Sequence, residues 1–500
     1  MNTHAKREVE ARPNVLLITV DQWAGELLGV AGHPVVETPT IDALARTGVT
    51  FTNLYSECPV CIPARRTLMT GLSPRSHGDR IFQPMLPMPN APTLAQCFRD
   101  AGYQAFSVGK LHVHPQRNRI GFDDALIAEE GRPQLGAVDD YDIFLAERGH
   151  AGEQYLHGMS NNDYVWRTWH LPEDCHVTNW TAREMCRLIQ RRDRDKPAFW
   201  NLSFTHPHPP LVPLASYLDR YRPAEMPDSP IADWAADPEA MPYALRFVRN
   251  YLPRRNERER RALIAAFFAL CTHIDHQMRI VIGTLREEGI LDDTAIMFLS
   301  DHGDMLGTQG LYGKRLFLEP SARIPGILVA PKSMGAAYRN ATCRGIYGLA
   351  DVMPTLLELA GVPVPAGCDG VSMLDLKGRP HLYGECMDGP RANRMIRRGD
   401  WKLIWYPAGN RLQLFDLAAD PGEMTDLSEH EEAASVRAEL ETLLIEHLYG
   451  DDLEWVRDGR LTGFEAPALA PPDERKLSGQ RGLHYPQPPL ELSGQIVGAG

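Results

Sequence analysis

Four stretches of the chain are apolar without the alternation that a half-exposed strand shows: Asn14 to Val20 (NVLLITV), Gln104 to Val108, Ala198 to Phe204 (AFWNLSF) and Thr294 to Ser300 (TAIMFLS). Runs of this length, rich in β-branched and aromatic residues, predict strands covered on both faces, as in a parallel sheet. Val49 to Tyr55 predicts a further strand. Between them lie segments of helical period with recognisable ends. One is capped by Thr38 or Thr40 and stopped by Gly48, one spans Thr93 to Ala101 before Gly102, and others cover Trp180 to Arg192, Glu257 to Glu288 before Gly289, and about Asp351 to Ala360. Strands alternating with helices predict an α/β fold: a large, mostly parallel sheet sandwiched by helices over residues 1–375. From His381 onward the period changes to short amphipathic runs, His381 to Gly384, Arg394 to Arg398, Lys402 to Tyr406 and Gln413 to Asp416, followed by a helix from Glu429 to Tyr449. That pattern predicts a smaller C-terminal α+β unit, an antiparallel sheet with one covering helix, over residues 376–450. Residues 451–500 carry many prolines and little periodicity, and read as a tail that orders against a neighbouring subunit in a homo-oligomer. Residues 118–174 show no clear period and read as pocket wall, and 209–256 read as proline-broken surface.

The buried strands share one feature, which is that each ends in ionisable residues. The first delivers Asp21 and Gln22, the second Lys110 with His112 and His114, the third His206 and His208 within Thr205-His-Pro-His-Pro-Pro210, and the fourth Asp301, His302 and Asp304. In open α/β sheets ligands bind beyond the carboxyl ends of the strands, so these residues are expected to converge there. Asp21, Gln22, Asp301 and His302 offer two carboxylates, an amide oxygen and an imidazole, a largely oxygen-rich set suited to a divalent cation, with His302 alternatively a supporting or substrate-facing group. Lys110, His112, His208 and Lys314, taken singly, read equally as solvated lysines or hydrogen-bonded structural histidines.

The stretch that gives these strand ends a common purpose is Cys61-Ile-Pro-Ala-Arg-Arg-Thr-Leu-Met-Thr-Gly71. Cys, Pro, Arg, Thr and Gly at this spacing arise by accident on the order of once in ten thousand chains of this size. Pro63 suits a first helical turn and Thr70-Gly71 a helix end, which puts Cys61 at a helix N-terminus, where backbone N–H groups favour a developing anion. Arg65 falls on the same helical face, a cation expected beside Cys61. A structural cysteine at a cap, or a redox pair of Cys58 and Cys61, leaves Pro63, Arg65 and Thr70-Gly71 unexplained.

The run resembles the signature of the sulfatases, CxPxR followed by TG, within the alkaline phosphatase superfamily, and the DQ and DH pairs resemble the subgroup that includes arylsulfatases, choline sulfatases and phosphonate monoester hydrolases. The resemblance implies that a formylglycine-generating enzyme oxidises Cys61 to formylglycine, whose hydrate supplies the hydroxyl that attacks sulfur. It implies that Asp21, Gln22, Asp301 and His302, with residue 61 itself, hold a divalent metal, calcium first and manganese second because an imidazole ligand weakens the case for a hard cation. It further implies that Arg65 steadies the formylglycine, that Lys110 and His112 hold and deprotonate its hydroxyls, and that His208 and Lys314 grip sulfate and protonate the leaving oxygen. His77 is a weaker candidate for the pocket edge. Phosphonate or phosphate ester hydrolases resemble the chain as well, but place Tyr and Thr where this sequence has Lys110 and His112, which favours a small anionic sulfate ester. A catalytically silent metal-binding homologue is the alternative if Cys61 stays unconverted.

Composition narrows the setting. A net charge of -13 argues against nucleic acid as a partner, and the sequence has no apolar run of membrane-spanning length. The first 22 residues lack a cleavable signal pattern, and nine cysteines without framework spacing fit free thiols in a reducing compartment, so the protein is expected in the cytoplasm.

Overall fold

In a computed structural model, which describes residues 12–130, 138–159, 161–252 and 255–469, a nine-stranded sheet forms the centre. Its strands are β1 (Asn14–Val20), β2 (Val49–Tyr55), β3 (Gln104–Gly109), β4 (Asp124–Ile127), β5 (Ala198–Ser203), β6 (Thr294–Ser300), β7 (Arg323–Ile324), β8 (Gly326–Val329) and β9 (Ala341–Gly348). They lie in the order β4-β3-β5-β1-β6-β8-β2-β7, with β9 on β2. From β4 to β6 every pairing is parallel, and β8 then runs antiparallel to both β6 and β2, so β2 points the same way as β6. The carboxyl ends of β1 to β6 therefore open on one side.

Alternation within β1 shows why these runs are apolar throughout. Leu16, Ile18 and Val20 face a core shared with the helices Val177–Gln190 and Glu257–Glu287, whereas Val15 and Leu17 face the helices Cys61–Thr70, Leu94–Asp100 and Val352–Leu359. The expected α/β sandwich is what the chain adopts, and the expected helices recur within a few residues of their predicted ends. Thr93 caps its helix by accepting from the Gln96 N–H, and Asn256 completes a capping box with Glu259 at the head of the long helix.

Three regions depart from expectation. Residues 118–174 contain β4 and a helix, Asp140–Glu147, whose cap Asp139 also accepts from the Glu129 N–H. Residues 209–256 are not simply surface: Leu211, in an isolated bridge with Trp166, and Val212 beside it are buried, and the helix Tyr243–Tyr251 buries Leu245 and Val248, because proline interrupts the helical period without removing the apolar residues. The short strands β7 and β8 were not anticipated, since Ile324-Pro-Gly326 breaks their run.

Beyond residue 375, β10 (Leu382–Cys386), β11 (Asn393–Arg398), β12 (Trp401–Tyr406) and β13 (Arg411–Asp416) make an antiparallel sheet in sequential order, covered by the helix Ala434–His447. Leu382, Met395 and Ile404 share one core with Tyr55, Met305 and Leu316, so this sheet is fused to the larger one. Charge reinforces the seam. Arg394 is fully buried and gives Asp452 a two-pronged pair at 2.7 and 2.9 Å, and Arg80, just past the signature helix, reaches the same carboxylate at 2.8 Å and Glu385 at 3.1 Å. Residues 456–461 form a small hairpin whose Leu461 packs on the C-terminal core, and Phe464 bridges to Ala408, so the chain as far as Phe464 packs on itself. The rest of the expected intersubunit tail, 470–500, lies outside the described residues.

Removing the shared carboxylate takes from the buried Arg394 its two-pronged partner and from Arg80 one of its carboxylates. Asp452→Ala is expected to destabilise the fold by roughly 3 kcal/mol or more, read as a lowered urea midpoint, and an unchanged midpoint would show the pair to be dispensable.

Candidate active site

Cys61 is the first residue of the helix Cys61–Thr70, whose ten residues are all buried, and the helix ends at Gly71 in the left-handed conformation (φ 64) that only glycine adopts freely. The helix N-terminus points its cysteine at the open ends of the strands. Around Sγ stand His302 Nε2 at 3.2 Å, Asp21 Oδ1 at 3.8 Å and Lys314 Nζ at 2.8 Å, with the His112 side chain close by. Burial pushes the thiol up, but Lys314, Lys110 and His302 outweigh it and hold Cys61 well below the usual thiol range. Position 61 is thus built to carry negative charge.

Arg65 differs from expectation. Four residues on in the helix, its guanidinium turns to the carboxylates: Nε donates to Asp301 Oδ2 at 3.0 Å, Nη2 to Asp21 Oδ2 at 3.2 Å, and Nη1 to the Lys110 carbonyl and Ser203 Oγ, both at 2.9 Å. It steadies the floor of the site instead of touching residue 61 directly.

Asp21, Cys61, Asp301 and His302 form a buried group whose ligand atoms all lie within 4.8 Å of one another. Burial raises Asp21, and the negative charge of Cys61 adds to that, yet Lys110, His208 and Lys314 draw its carboxyl far below the ordinary range. Asp301 moves the other way, raised by burial and by Asp21 beside it, despite His302 and Arg65. Its Oδ1 accepts the backbone N–H groups of Gln22 (3.1 Å) and His302 (2.9 Å). His302 Nδ1 donates to the Gly303 carbonyl at 3.1 Å, a bond that leaves the Nε2 lone pair facing this cluster. Two carboxylates and an imidazole in that arrangement fit a divalent cation, because two buried like charges so close need a positive ion between them.

Gln22 is held by residues that sequence reasoning left without a role. Its amide nitrogen donates to Asp304 Oδ2 at 2.5 Å and to the Tyr164 hydroxyl, which itself donates to Asp304. Its oxygen therefore faces Lys314 Nζ at 3.0 Å. Asp304 closes the Asp-His-Gly-Asp run, two residues past a predicted ligand, and that alternation was its only signal.

Lys110 is fully buried, paired with Asp21 at 2.6 Å and with Glu130 at 2.5 Å. Glu129 and Glu130, also missed, follow β4 within the unassigned region: Glu129 accepts the N–H groups of Leu111 and His112, both at 2.9 Å, and so shapes the loop bearing His112. His208 Nδ1 donates to the Pro209 carbonyl at 2.7 Å and lies 3.6 Å from Glu130, while among the described residues nothing hydrogen-bonds to its buried Nε2. Gln22, His112, Glu130 and Arg315 all have positive φ (70, 61, 59 and 81), so backbone strain gathers here, as it does at functional sites. The structure thus brings Asp21, Gln22, Cys61, Arg65, Lys110, His112, His208, Asp301, His302 and Lys314 together. His77 stands apart, hydrogen-bonded to Thr67 at 3.0 Å in a structural role, and Cys58 forms no disulfide with Cys61.

The sequence profile of the sulfatase family matches residues 13–362, well over half of the chain. The chain belongs to the sulfatase family. The C-terminal profile of N-sulphoglucosamine sulphohydrolase matches residues 307–449 of this sulfatase. It is 34% identical over 480 residues to an arylsulfatase of Clostridium perfringens, covering 92% of this chain and 99% of that one, and 31% identical over 440 residues to a choline-sulfatase of Rhizobium meliloti, covering 84% and 83%. Its fold is similar to the crystal structure of the phosphonate monoester hydrolase of Agrobacterium radiobacter, with a TM-score of 0.76 at 25% identity, covering 87% of this chain and 95% of that one. The sulfatase is accordingly a sulfuric ester hydrolase. No helix among its described residues is long and apolar enough to cross a membrane.

Behind His208 lies a stack of neutral histidines. Burial draws His206 down to about 4 and His273 down to about 3, and His176 lower than usual as well. Such groups bind protons in the unfolded chain first, so the stability they confer is complete above about pH 6.5 and is lost as the pH falls toward their folded values. At pH 5, His273 alone accounts for about 2 kcal/mol of that loss. His273→Gln is expected to shrink the difference in unfolding free energy between pH 7.5 and pH 5 by that amount, and an unchanged difference would show that His273 is not held neutral.

Proposed function

We propose that this sulfatase hydrolyses monoesters of sulfate, aryl or small alkyl, using residue 61 as formylglycine beside one divalent cation. The observation that carries the reading is the convergence of Lys110, Lys314, His112 and His302 on one buried side chain that backs onto two carboxylates. Cys61 Sγ occupies the place that the oxygens of the converted residue would take. When bound, the cation withdraws charge from those oxygens and from sulfate, and the hydrated aldehyde supplies a hydroxyl nucleophile that a serine or cysteine could not regenerate by ejecting sulfate.

Each of these basic groups has a distinct duty. Lys110, clamped between Asp21 and Glu130, is held in place and orients an oxygen on residue 61. His112, whose backbone Glu129 fixes, takes a proton from that residue. Lys314 reaches position 61 and Gln22 at once, so it spans the nucleophile and the incoming sulfate. His208 offers Nε2, which the Pro209 carbonyl leaves unoccupied, to the leaving oxygen, and Glu130 lies 3.6 Å from its ring. Asp21, Asp301 and His302, with residue 61, would hold the metal, with calcium favoured and manganese second, and Gln22, whose oxygen accepts from Lys314, would be a further ligand.

Phosphonate and phosphate esters are the second reading, supported by the likeness to the phosphonate monoester hydrolase. The Lys110 and His112 pair places more positive charge by the nucleophile than the Tyr and Thr expected of those enzymes, so sulfate stays first. Nine cysteines free of disulfides support a reducing, cytoplasmic setting, and recovery from an extracytoplasmic fraction would contradict it.

Mass spectrometry of the peptide bearing residue 61, after co-expression with the formylglycine-generating enzyme, is expected to find an aldehyde in place of the thiol. His208→Ala is expected to lower kcat on sulfate esters by about a hundredfold, and Cys61→Ala to abolish it. A stoichiometric thiol in an active preparation, or full turnover by Cys61→Ala, would refute the reading.

A further inference from the structure

The pocket that opens above Cys61 has walls of opposite character. Phe82, Phe247 and Tyr251 form aromatic surface, and Lys314 and Arg315 stand on the side of the nucleophile. Lys314 is accounted for by Cys61 and Gln22, but Arg315 is not needed by any contact of its own. Other buried arginines here are paired: Arg65 with Asp21 and Asp301, Arg394 with Asp452. Among the described residues no Asp or Glu lies in ion-pair reach of Arg315, whose charged or titratable neighbours are Cys386, Tyr251, Cys61 and a second guanidinium, Arg391. Arg391 is likewise without a carboxylate partner among the described residues, and rests 5.0 Å over the ring of Phe247.

Two half-buried guanidinium groups near one another and without a carboxylate are unfavourable, because partial burial and like charge both penalise an unpaired cation. The fold nonetheless holds Arg315 in place. Its N–H donates to the Pro59 carbonyl at 2.9 Å, its carbonyl accepts from Asn393 at 3.2 Å, and its φ of 81 is one that a residue with a side chain rarely adopts. A cation fixed at that cost, next to but distinct from the sulfate-gripping groups, has an anionic partner to meet. The aromatic wall sets the shape of what carries it, and the face of Phe247 that a quaternary ammonium would seek is already covered by Arg391.

We propose that Arg315, backed by Arg391, reads the leaving group, selecting sulfate esters of phenols that bear a second anionic substituent, a ring carboxylate, and rejecting esters of cationic alcohols. This rests on the sulfatase reading above and names the substrate class of the same site. Guanidinium and carboxylate meet in two parallel hydrogen bonds, a geometry that also fixes the ring against the aromatic wall.

The test uses the aldehyde-bearing full chain and three esters: 4-carboxyphenyl sulfate, its neutral match 4-carbamoylphenyl sulfate, and choline sulfate. Wild type is expected to favour the carboxyl over the carbamoyl ester in kcat/KM by about tenfold or more, and to use choline sulfate least. Arg315→Gln is expected to cut the carboxyl-to-carbamoyl ratio about tenfold, Arg315→Lys to keep only part of it because the charge stays and the two-pronged geometry goes, and Arg391→Gln to lower it by less than Arg315→Gln does. Comparing ratios within each variant cancels differences between the two phenols as leaving groups. A wild-type ratio near one, or a ratio that Arg315→Gln leaves unmoved, overturns the proposal while the hydrolase reading stands. Should Arg315→Gln fail to fold, the wild-type ratio and the Arg391→Gln shift decide alone. Turnover of no sulfate ester at all by the aldehyde-bearing chain is a different result, which removes the hydrolase reading and this proposal together.

Discussion

A single guanidinium group holds the site in register. Arg65 donates to Asp21 after β1, to the carbonyl of Lys110 after β3, to Ser203 at the end of β5 and to Asp301 after β6. Those strands would otherwise end in independent loops, and the carboxylates of two of them lie close enough to repel. Arg65 offsets part of that repulsion from beneath and leaves the other carboxylate oxygens facing position 61. The residual negative charge, visible in the raised Asp301, is what suits the site to a cation. Because guanidinium is planar and holds its proton, it sets the spacing of the two carboxylates more rigidly than a lysine would.

Above that floor, charge alternates in depth. Carboxylates lie deepest, Cys61 stands over them, and Lys110, Lys314 and His112 converge on it. Such an order draws an anionic ester in with its sulfur end toward residue 61, since only that end can meet several cations at once. The C-terminal sheet is part of this arrangement. Lys402, fully buried in β12, reaches the Phe317 carbonyl at 2.8 Å, and Asn393 of β11 holds the carbonyl of Arg315, so the loop that carries Lys314 is pinned by the second sheet. A chain that ended before residue 376 would lose that support.

Much of this was legible in the sequence because the physics was local. Uninterrupted apolar runs mark doubly covered strands, and polar residues at their ends have nowhere to go but the mouth of the sheet. The signature around Cys61 then tied those ends together. Arg65 was placed on the correct helix face, but the carboxylates it bonds to were not foreseen, since helical period says which side a residue is on and not which strand end waits there. Glu129, Glu130, Tyr164 and Asp304 escaped for a different reason: their importance comes from contacts across roughly 17 to 280 residues of sequence, such as Glu129 with His112 and Gln22 with Asp304. The packing of residues 209–256 was missed because prolines erase helical periodicity while leaving burial intact.

The central claim is that the paired carboxylates below residue 61 exist to carry a cation. Anomalous diffraction from crystals grown with manganese tests it most directly. The account predicts one peak bounded by Asp21, Asp301, His302 and the side chain at position 61. Well-ordered crystals with no peak there, or with the ion bound elsewhere while Asp21 and Asp301 keep their contacts to Arg65, would contradict it.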